Sequence, residues 1–295
     1  MMSGINSYPL RSALYLPASN QRAIEKARTL SADAVIFELE DAVAPNEKEA
    51  ARRNLLLAFA NGPVASGINV IRVNSLDTED FSADLKAARQ CRPDAVLIPK
   101  ICSVDDVRGA SERLGGGLDL WCMIETAEGL ENISAIAAYG RGEGKSVARC
   151  LVVGTNDIVR ETGVSAQPDR LFMQPWLMAV VLAAKANGLR VLDGVWNDFR
   201  NEDGFAKEAS QGRLMGFDGK TLIHPVQIEP TNGIFSPSAE VIAEAHAIIA
   251  AFEDPANVDK GAINLGGRMV ERLHLEMARS LLERHATMTG TRRLR

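Results

Sequence analysis

Residues 34–41 read AVIFELED, a mostly apolar run, Ala34–Leu39, that ends at two acids. A run of this length, rich in Val, Ile, Leu and Phe, is typical of a β-strand buried on both faces. Runs of the same kind recur along the chain, at Ser12–Pro17, Asn69–Val73, Ala95–Ile98, Leu118–Ile124, Cys150–Val153, Leu189–Val195 and Gly219–Ile223. Each is bounded by Gly, Pro, Asn or Asp, as strands in compact domains are.

The eight runs begin about 30 residues apart, which is the length of one strand–helix unit. Helical periodicity fills the segments between them, at Asn20–Leu30, Glu47–Ala60, Asp80–Gln90, Val104–Leu114, Leu130–Tyr139, Gln174–Asn187 and Asp203–Met215. Eight alternating units without a dinucleotide-binding fingerprint predict an α/β fold, a (β/α)8 TIM barrel over residues 10–230. The alternative, a doubly wound sheet, uses about five or six strands and would leave runs unassigned.

Residues 231–295 are too many for a simple terminus. They contain two helical patterns, Ser238–Phe252 and Val270–His285, joined by a glycine-containing loop over 253–267. We expect a C-terminal helical extension that acts as a lid or an oligomerisation arm, with the final TMTGTRRLR frayed. The segment RGEGKS at 141–146 lacks the spacing of a phosphate-binding loop, so we interpret it as a surface loop.

Composition excludes several classes of protein. The 295 residues are 46% hydrophobic and 24% charged with a net charge of −5, which excludes a disordered chain and disfavours a nucleic-acid partner. No apolar stretch reaches the about 18 residues that span a membrane, and no basic segment precedes the first apolar run. The four cysteines form no Cys-x-x-Cys pair. We therefore expect reduced cysteines in a cytoplasmic protein without a membrane partner.

Polar side chains stand where the predicted strands end, and active sites of β/α barrels lie at that end of the barrel. Because all eight strands are parallel, these side chains are expected to converge on one mouth. They are Ser19, Asn20, Glu40, Asp41, Arg72, Asn74, Lys100, Glu125, Thr126, Asn156, Asp157, Asp193, Lys220 and His224, with Glu38 one alternation before Glu40.

Carboxylates that point together repel each other unless a cation lies among them. Glu125 and Asp157, with water and substrate oxygens, suit an open octahedral Mg²⁺ site, and Arg72 offers a planar fork for a substrate carboxylate. Other interpretations stay open from the pattern alone. Asp157 can instead cap the next helix, Arg72 and Lys100 can form structural ion pairs, and His224 can be an ordinary loop residue.

Several strings resemble the HpcH/HpaI aldolase/citrate lyase β-chain family and occur in its order over about residues 10–285. They are RSALYLPAS, IFELEDAVAPNEKEAAR, VIRVNS, VLIPK, MIETAEGL, GTNDI and GFDGKTLIHPVQIEPTN. The resemblance implies a Mg²⁺-dependent β/α barrel, commonly trimeric, that makes or breaks a carbon–carbon bond. ELEDAV and the C-terminal extension point to the citrate lyase β-like branch.

The resemblance also implies a role for individual residues. It places the metal on Glu125 and Asp157 and the carboxylate of the oxo-acid product on Arg72. Glu40 and Asp41 would hold metal-bound waters. In many relatives a Met-Ile-Asp string supplies an Asp to the site of a neighbouring subunit, and here the string is Met269-Val270-Glu271, so Glu271 is the candidate proton donor.

The chain departs from the usual family strings at four places. Glu38 stands for an Asp, Asn156 for a Glu, Ala18 for a Gly and Glu271 for an Asp. The metal and oxo-acid half of the site keeps its residues, whereas the acyl half is changed.

We therefore predict a Mg²⁺-dependent carbon–carbon lyase that cleaves or forms a β-hydroxy acyl thioester such as citryl-, malyl- or citramalyl-CoA. Its products would be a 2-oxo acid and an acyl thioester. Arg72 and Glu271 are the predicted catalytic residues, and Arg72 and Glu125 would contact substrate. The expected assembly is a homo-oligomer, a trimer or a dimer of trimers. The alternatives are a metal-dependent aldolase on free hydroxy-oxo acids and a non-catalytic metabolite-binding or complex subunit.

Overall fold

Eight parallel strands form a closed barrel in the computed structural model of the chain, which describes residues 8–140 and 148–289. Each strand pairs with the next, and the last pairs with the first. The strands are β1 (Ser12–Pro17), β2 (Ala34–Glu38), β3 (Ile68–Arg72), β4 (Ala95–Ile98), β5 (Asp119–Ile124), β6 (Ala148–Val153), β7 (Arg190–Asp193) and β8 (Gly219–Leu222). The predicted (β/α)8 barrel is confirmed, and all eight apolar runs are strands.

Helices follow the strands and cover the outside of the barrel. They are α1 (Gln21–Ala27), α2 (Lys48–Phe59), α3 (Asp80–Cys91), α4 (Val104–Leu114), α5 (Ala127–Glu131), α6 (Ile133–Gly140), α7 (Thr155–Thr162), α8 (Gln174–Ala186), α9 (Glu202–Met215) and α10 (Ile228–Ile234). The helix predicted over 130–139 is two helices, and α7 and α10 were not predicted. The predicted loop RGEGKS lies outside the described residues.

The alternation of side chains along β1 shows how the barrel divides its two faces. Leu14 and Leu16 pack with the buried side chains of the surrounding helices. Tyr15 and Pro17 point the other way and line a cavity at the barrel mouth. The register sets the ends of neighbouring strands level with one another, and Pro17 at the end of β1 is level with Glu38. Glu38 at the end of β2 is level with Arg72 at the end of β3.

Residues 236–289, together with residues 8–9, form a second compact unit, separate from the barrel unit Leu10–Phe235. This unit contains α11 (Ala239–Glu253), a hairpin of β9 (Ala262–Leu265) and β10 (Arg268–Glu271), and α12 (Arg272–Thr289). Phe252, Ile263, Val270 and Leu275 are its buried core. The predicted C-terminal helices are present, while residues 290–295 lie outside the described chain.

The hairpin corrects the prediction for residues 253–271. The sequence pattern predicted a loop to Gly267 and a helix from Val270, but the chain pairs two strands and the helix begins at Arg272. Gly266 and Gly267 form the turn, with φ angles of 59° and 84°. Two consecutive positive φ values are what a tight antiparallel hairpin requires, and glycine adopts them without a steric penalty.

One stretch, Pro225–Glu253, has the length and mean hydropathy of a possible membrane span. It is not a continuous α-helix, because α10 ends at Ile234 and α11 begins at Ala239. The break divides the stretch into α-helices that are each shorter than the about 20 residues needed to cross a bilayer.

Candidate active site at the barrel mouth

A cavity of about 250 Å³ opens at the carboxyl ends of the strands. It is the place where active sites of this fold lie. Its lining combines charged and apolar side chains: Tyr15, Pro17, Glu38, Asp41, Ala42, Arg72, Met123, Val153, Gly154, Thr155, Asn156, Asp157, Val195, Thr221 and Ile223.

Arg72 is buried at the centre of this mouth and is surrounded by acids. Its Nε lies 2.6 Å from Glu38 Oε2, and its Nη2 lies 2.7 Å from Glu40 Oε2 and 3.3 Å from Asp41 Oδ2. The expected convergence of Arg72, Glu40 and Asp41 is thus observed. Arg72 is also an ion-pair residue, as the alternative interpretation held, because three carboxylates contact its Nε and Nη2 atoms.

The other side of the Arg72 guanidinium faces a much weaker partner. Its Nη1 lies 3.4 Å from the sulfur of Met123. A thioether is a poor hydrogen-bond acceptor, so this edge keeps most of its capacity to bind an oxygen.

Glu40 joins the two cations of the mouth. Its Oε2 pairs with Arg72, and its Oε1 lies 2.5 Å from Lys100 Nζ. The backbone N–H of Glu40 donates to Glu38 Oε1 at 2.5 Å. Glu38, one methylene longer than the usual Asp, thereby reaches both Arg72 and the backbone of the β2 loop. Lys100 is an ion-pair residue, as one of the two interpretations held.

Glu125, at the end of β5, is 1% exposed. Its Oε1 accepts a hydrogen bond from the backbone N–H of Lys100 at 3.0 Å. Its Oε2 is buried, and no donor reaches it from the described residues. Burial raises the pKa of Glu125 to about 8; the charge of Arg72 opposes this shift, and Asp157 and Glu40 add to it. A buried carboxylate oxygen without a partner favours a bound cation.

Gly154 makes room for that carboxylate. A Cβ at this position would lie 2.4 Å from Glu125 Oε2 and 2.5 Å from Glu125 Cβ. Gly154, the residue directly after β6, therefore lets the backbone pass directly beside Glu125.

Asp157 lies in the first turn of α7, half-buried at the cavity wall. The helix has Gly154 as its N-cap and no side-chain cap, so the capping interpretation of Asp157 is wrong. Its Oδ1 instead lies 2.5 Å from Nη2 of Arg160, a side chain that is 72% exposed. Because the Arg160 side chain is largely in solvent, this ion pair contributes little and leaves the Asp157 carboxylate available to a metal ion.

The charges around the mouth leave a deficit of positive charge. With Glu125 ionised, as a bound metal ion requires, five carboxylates, Glu38, Glu40, Asp41, Glu125 and Asp157, face three cations, Arg72, Lys100 and Arg160. A divalent cation would balance this excess. Within the described residues no group of three or more His, Cys, Asp or Glu is arranged as a metal cage. Mg²⁺ is usually bound by one or two protein carboxylates, with water and substrate oxygens as its remaining ligands, and Glu125 and Asp157 fit this coordination.

Asn156, which stands for the usual Glu, makes a reciprocal amide pair. Its Nδ2 donates to Asn197 Oδ1 at 3.2 Å, and the Nδ2 of Asn197 donates to Asn156 Oδ1 at 2.7 Å. The pair ties the beginning of α7 to the loop after β7 at the rim of the cavity.

Two strand-end residues expected at the mouth are not there. Asp193 and Lys220 are fully buried in a network with Arg170 and Glu208, where Lys220 Nζ lies 3.2 Å from Asp193 Oδ2 and 2.8 Å from Glu208 Oε1. Burial would raise the pKa of Asp193, but the charges of Lys220 and Arg170 outweigh it and lower that pKa. Both side chains point out of the barrel because strand residues alternate faces.

His224 does not line this cavity. The Nδ1 of His224 accepts from the backbone N–H of Val226, and its ring stacks on Phe199 at 4.5 Å, as a loop residue would. Glu271 belongs to the second unit, at the end of β10, where it is exposed and its backbone N–H donates to His274.

Sequence reasoning missed Lys48 as part of the mouth's support. Its buried Nζ lies 3.3 Å from the carbonyl oxygen of Leu39 and also contacts Asn74 Oδ1. The sequence does contain a sign of this role, because Lys48 falls inside the IFELEDAVAPNEKEAAR string, a few residues after Glu40 and Asp41.

The fold and the mouth define a class of protein: a (β/α)8 barrel enzyme with an acidic, arginine-centred cavity suited to a divalent metal. A sequence profile of the HpcH/HpaI aldolase/citrate lyase family matches residues 11–225. The chain belongs to this family.

Relatives extend the match over nearly the whole chain. The (3S)-malyl-CoA thioesterase of Cereibacter sphaeroides (strain KD131 / KCTC 12085) is 46% identical over 97% of this chain and 98% of its own. The mitochondrial citramalyl-CoA lyase of Mus musculus is 31% identical over 93% of this chain and 85% of its own.

Among solved structures, the CitE protein of Mycobacterium tuberculosis in complex with magnesium, acetoacetate and coenzyme A is similar. The TM-score is 0.78 at 29% identity, over 95% of this chain and 99% of that one. The match therefore includes both compact units, the barrel and the C-terminal helices.

Proposed function

We propose that this chain is a Mg²⁺-dependent carbon–carbon lyase for a β-hydroxy acyl-CoA thioester of the malyl, citramalyl or citryl type. The observation that carries the proposal is the buried Oε2 of Glu125, which has no hydrogen-bond partner among residues 8–140 and 148–289 and lies near Asp157 at a cavity centred on Arg72. Relatives that act on malyl-CoA and citramalyl-CoA and a similar protein crystallised with magnesium and coenzyme A support it.

Glu125 and Asp157 would hold the ion, with Glu40 and Asp41 orienting its waters. When bound, Mg²⁺ supplies Lewis-acid polarisation of a substrate oxygen, which is worth several kcal/mol. Arg72 contributes its Nη1 edge to the carboxylate of the oxo-acid portion. Its Nη2 edge stays with Glu40 and Asp41, which fixes the direction of the guanidinium.

In the cleavage direction the substrate hydroxyl gives its proton to a water molecule, and the bond between the hydroxyl-bearing carbon and the carbon next to the thioester breaks. The bonding electrons move into an enolate of the acyl thioester, and the former hydroxyl carbon becomes the carbonyl of the 2-oxo acid. The enolate then gains a proton. Glu271, supplied by a neighbouring copy in a homo-oligomer, is our candidate for this donor.

The test uses the full chain with Mg²⁺ and malyl-, citramalyl- or citryl-CoA. We expect glyoxylate, pyruvate or oxaloacetate to appear with the corresponding acyl-CoA. Glu125→Gln and Asp157→Asn should abolish turnover and Mg²⁺ binding, whereas Glu112→Gln, which changes an exposed acid on α4, should change neither. Full activity in either site variant would show that the metal assignment is wrong.

Hydrolysis of the thioester is a second candidate, favoured by the 46% identity to a (3S)-malyl-CoA thioesterase. The same metal and Arg72 would then orient malyl-CoA for attack by one water molecule on the thioester carbonyl. The products separate the two reactions. Cleavage of (3S)-malyl-CoA gives glyoxylate and acetyl-CoA, whereas hydrolysis gives malate and free CoA.

Two further alternatives have their own outcomes in this assay. Turnover of free hydroxy-oxo acids without CoA would identify an aldolase. Binding of Mg²⁺ without turnover of any thioester, together with co-purification of partner subunits, would identify a non-catalytic complex subunit. We retain the cytoplasm as the expected location.

A further inference from the structure

Two strong hydrogen-bond donors in the cavity point at one weak acceptor. Arg72 Nη1 lies 3.4 Å from the sulfur of Met123, and the hydroxyl of Tyr15 lies 3.9 Å from the same atom. Strong donors in a partly buried site normally find oxygen or nitrogen. A thioether satisfies neither of them well, so the place between these two donors suits an oxygen from outside the chain.

Tyr15 is held rigidly at this place. It lies on β1 with its side chain facing the cavity, and the guanidinium carbon of Arg72 is 5.4 Å from the centroid of its ring. The ring thus supports Arg72 from one side while the acids hold it from the other. Met123 comes from β5, so donors from β1 and β3 meet a side chain from a third strand.

The hydroxyl of Tyr15 remains a donor under all physiological conditions. Burial raises the pKa of Tyr15 above its ordinary value, although the positive charge of Arg72 opposes the shift. Among the described residues its hydrogen has only the Met123 sulfur as an acceptor.

We propose that the Tyr15 hydroxyl is a further catalytic residue, which donates a hydrogen bond to an oxygen of the 2-oxo-acid portion of the substrate, beside Arg72 Nη1. The proposal rests on the proposed function, because it assigns a second donor to the same substrate group. The Tyr15 hydroxyl would act beside the metal ion and Arg72 as a neutral donor, which binds an oxygen without adding charge to the site.

The experiment compares the wild-type chain with Tyr15→Phe, which removes one oxygen and keeps the ring beneath Arg72. Binding of pyruvate and of glyoxylate is measured by calorimetry in saturating Mg²⁺, and kcat/KM is measured with (3S)-malyl-CoA. A hydrogen bond to a charged or charge-developing oxygen predicts an about 10- to 100-fold weaker Kd and a comparable fall in kcat/KM. Tyr139→Phe makes the same chemical change on the exposed face of α6 and should leave all these quantities unchanged.

A structural role for Tyr15 predicts a different result. Loss of packing would lower the unfolding temperature and weaken Mg²⁺ binding, whereas loss of a substrate donor leaves both within error of wild type. Wild-type Kd and kcat/KM in Tyr15→Phe would overturn this inference and leave the proposed function standing. If the wild-type chain with Mg²⁺ binds neither pyruvate nor glyoxylate and cleaves none of malyl-, citramalyl- and citryl-CoA, the proposed function fails, and the inference fails with it.

Discussion

At the scale of single residues, the position of the Glu125 carboxylate depends on one glycine, Gly154. Gly154 lets the end of β6 pass beside the carboxylate, and the backbone N–H of Lys100 fixes the other oxygen. One atom on residue 154 would therefore displace the group that we assign to the metal. No change in the polarity of the site would accompany this displacement.

Gly154→Ala should lower Mg²⁺ affinity by about 10-fold or more, since an ion held by two carboxylates cannot tolerate the displacement of one. Calorimetric titration with Mg²⁺ measures the effect. Gly109→Ala on α4, where a Cβ meets nothing within 4 Å, is the control and should leave binding unchanged. Unaltered affinity in Gly154→Ala would mean that Glu125 does not bind the ion.

Glu125 should also make the metal-free protein sensitive to pH. Its pKa is raised from 4.5 to about 8. Between these values the unfolded chain is ionised at this residue while the folded chain holds a proton. The free energy of unfolding therefore falls as the pH rises from about 4.5 to 8.

Urea unfolding across this pH range measures the effect. Glu125→Gln should flatten it, because a glutamine has no proton to lose, and Mg²⁺ should stabilise the wild-type chain increasingly as the pH rises. A wild-type profile that does not change when Glu125 is replaced would contradict the assignment.

Much of the site was predictable from residues at strand ends, because parallel strands in a closed barrel bring their carboxyl ends together. This logic placed Arg72, Glu40, Asp41, Glu125 and Asp157 in one mouth. It failed for Asp193 and Lys220, since a shift of one position along a strand turns a side chain from the cavity to the helices. It also missed Tyr15, which lies within a strand that reads as purely structural.

At the scale of elements, a buried polar network joins α2, α3 and the loops after β2 and β3. Asp84 on α3 accepts hydrogen bonds from the backbone and side-chain nitrogens of Asn74, at 2.9 Å and 2.6 Å, and from Arg52 at 2.8 Å. Asn74 in turn donates to the carbonyl oxygen of Leu39 at 3.0 Å, just before Glu40. The network therefore fixes the loop that carries the acids around Arg72.

Asp84→Ala should destabilise the fold by about 1–3 kcal/mol, because it removes a buried acceptor of the Asn74 backbone and side-chain nitrogens, while Arg52 keeps its ion pair with Asp80. Urea unfolding measures this loss. Glu49→Ala removes an exposed partner of Arg53 and should change stability by less than about 1 kcal/mol. Equal effects of the two substitutions would show that the Asp84 network does not hold the elements together.

Element boundaries were predictable where a long apolar pattern repeats. The eight strands and the helix Val104–Leu114 agree with their sequence patterns, and the side chain of Ser103 caps the beginning of that helix. The short α7 was hidden because its eight residues carry few apolar positions. The sequence pattern does not indicate the β9–β10 hairpin, because two adjacent glycines, Gly266-Gly267, fit an irregular loop as well as the tight turn of a hairpin.

At the scale of the whole molecule the chain consists of a barrel unit and a C-terminal unit that carries Glu271. If Glu271 serves the site of a neighbouring copy, the metal carboxylates and the proton donor come from different chains. Such an arrangement has a signature that no single-chain site can produce.

Asp157→Asn and Glu271→Gln should each be inactive alone but regain activity when the two variants are co-expressed. Random mixing in a closed ring pairs an intact metal site with an intact neighbouring Glu271 in about a quarter of the sites. The rate of the mixture relative to wild type is the measurement, with each variant co-expressed with itself as the control. A mixture as inactive as its components would place Glu271 outside the reaction.

The amide pair of Asn156 and Asn197 has a consequence for the ageing of the protein. Both side chains are exposed, and each both donates to and accepts from the other. Hydrolysis of either amide to a carboxylate removes a donor, so only one of the two bonds survives. It also adds a sixth negative charge beside Asp157. Stored samples should therefore drift in metal affinity before they lose their fold, and the drift should scale with the acidic fraction seen by isoelectric focusing.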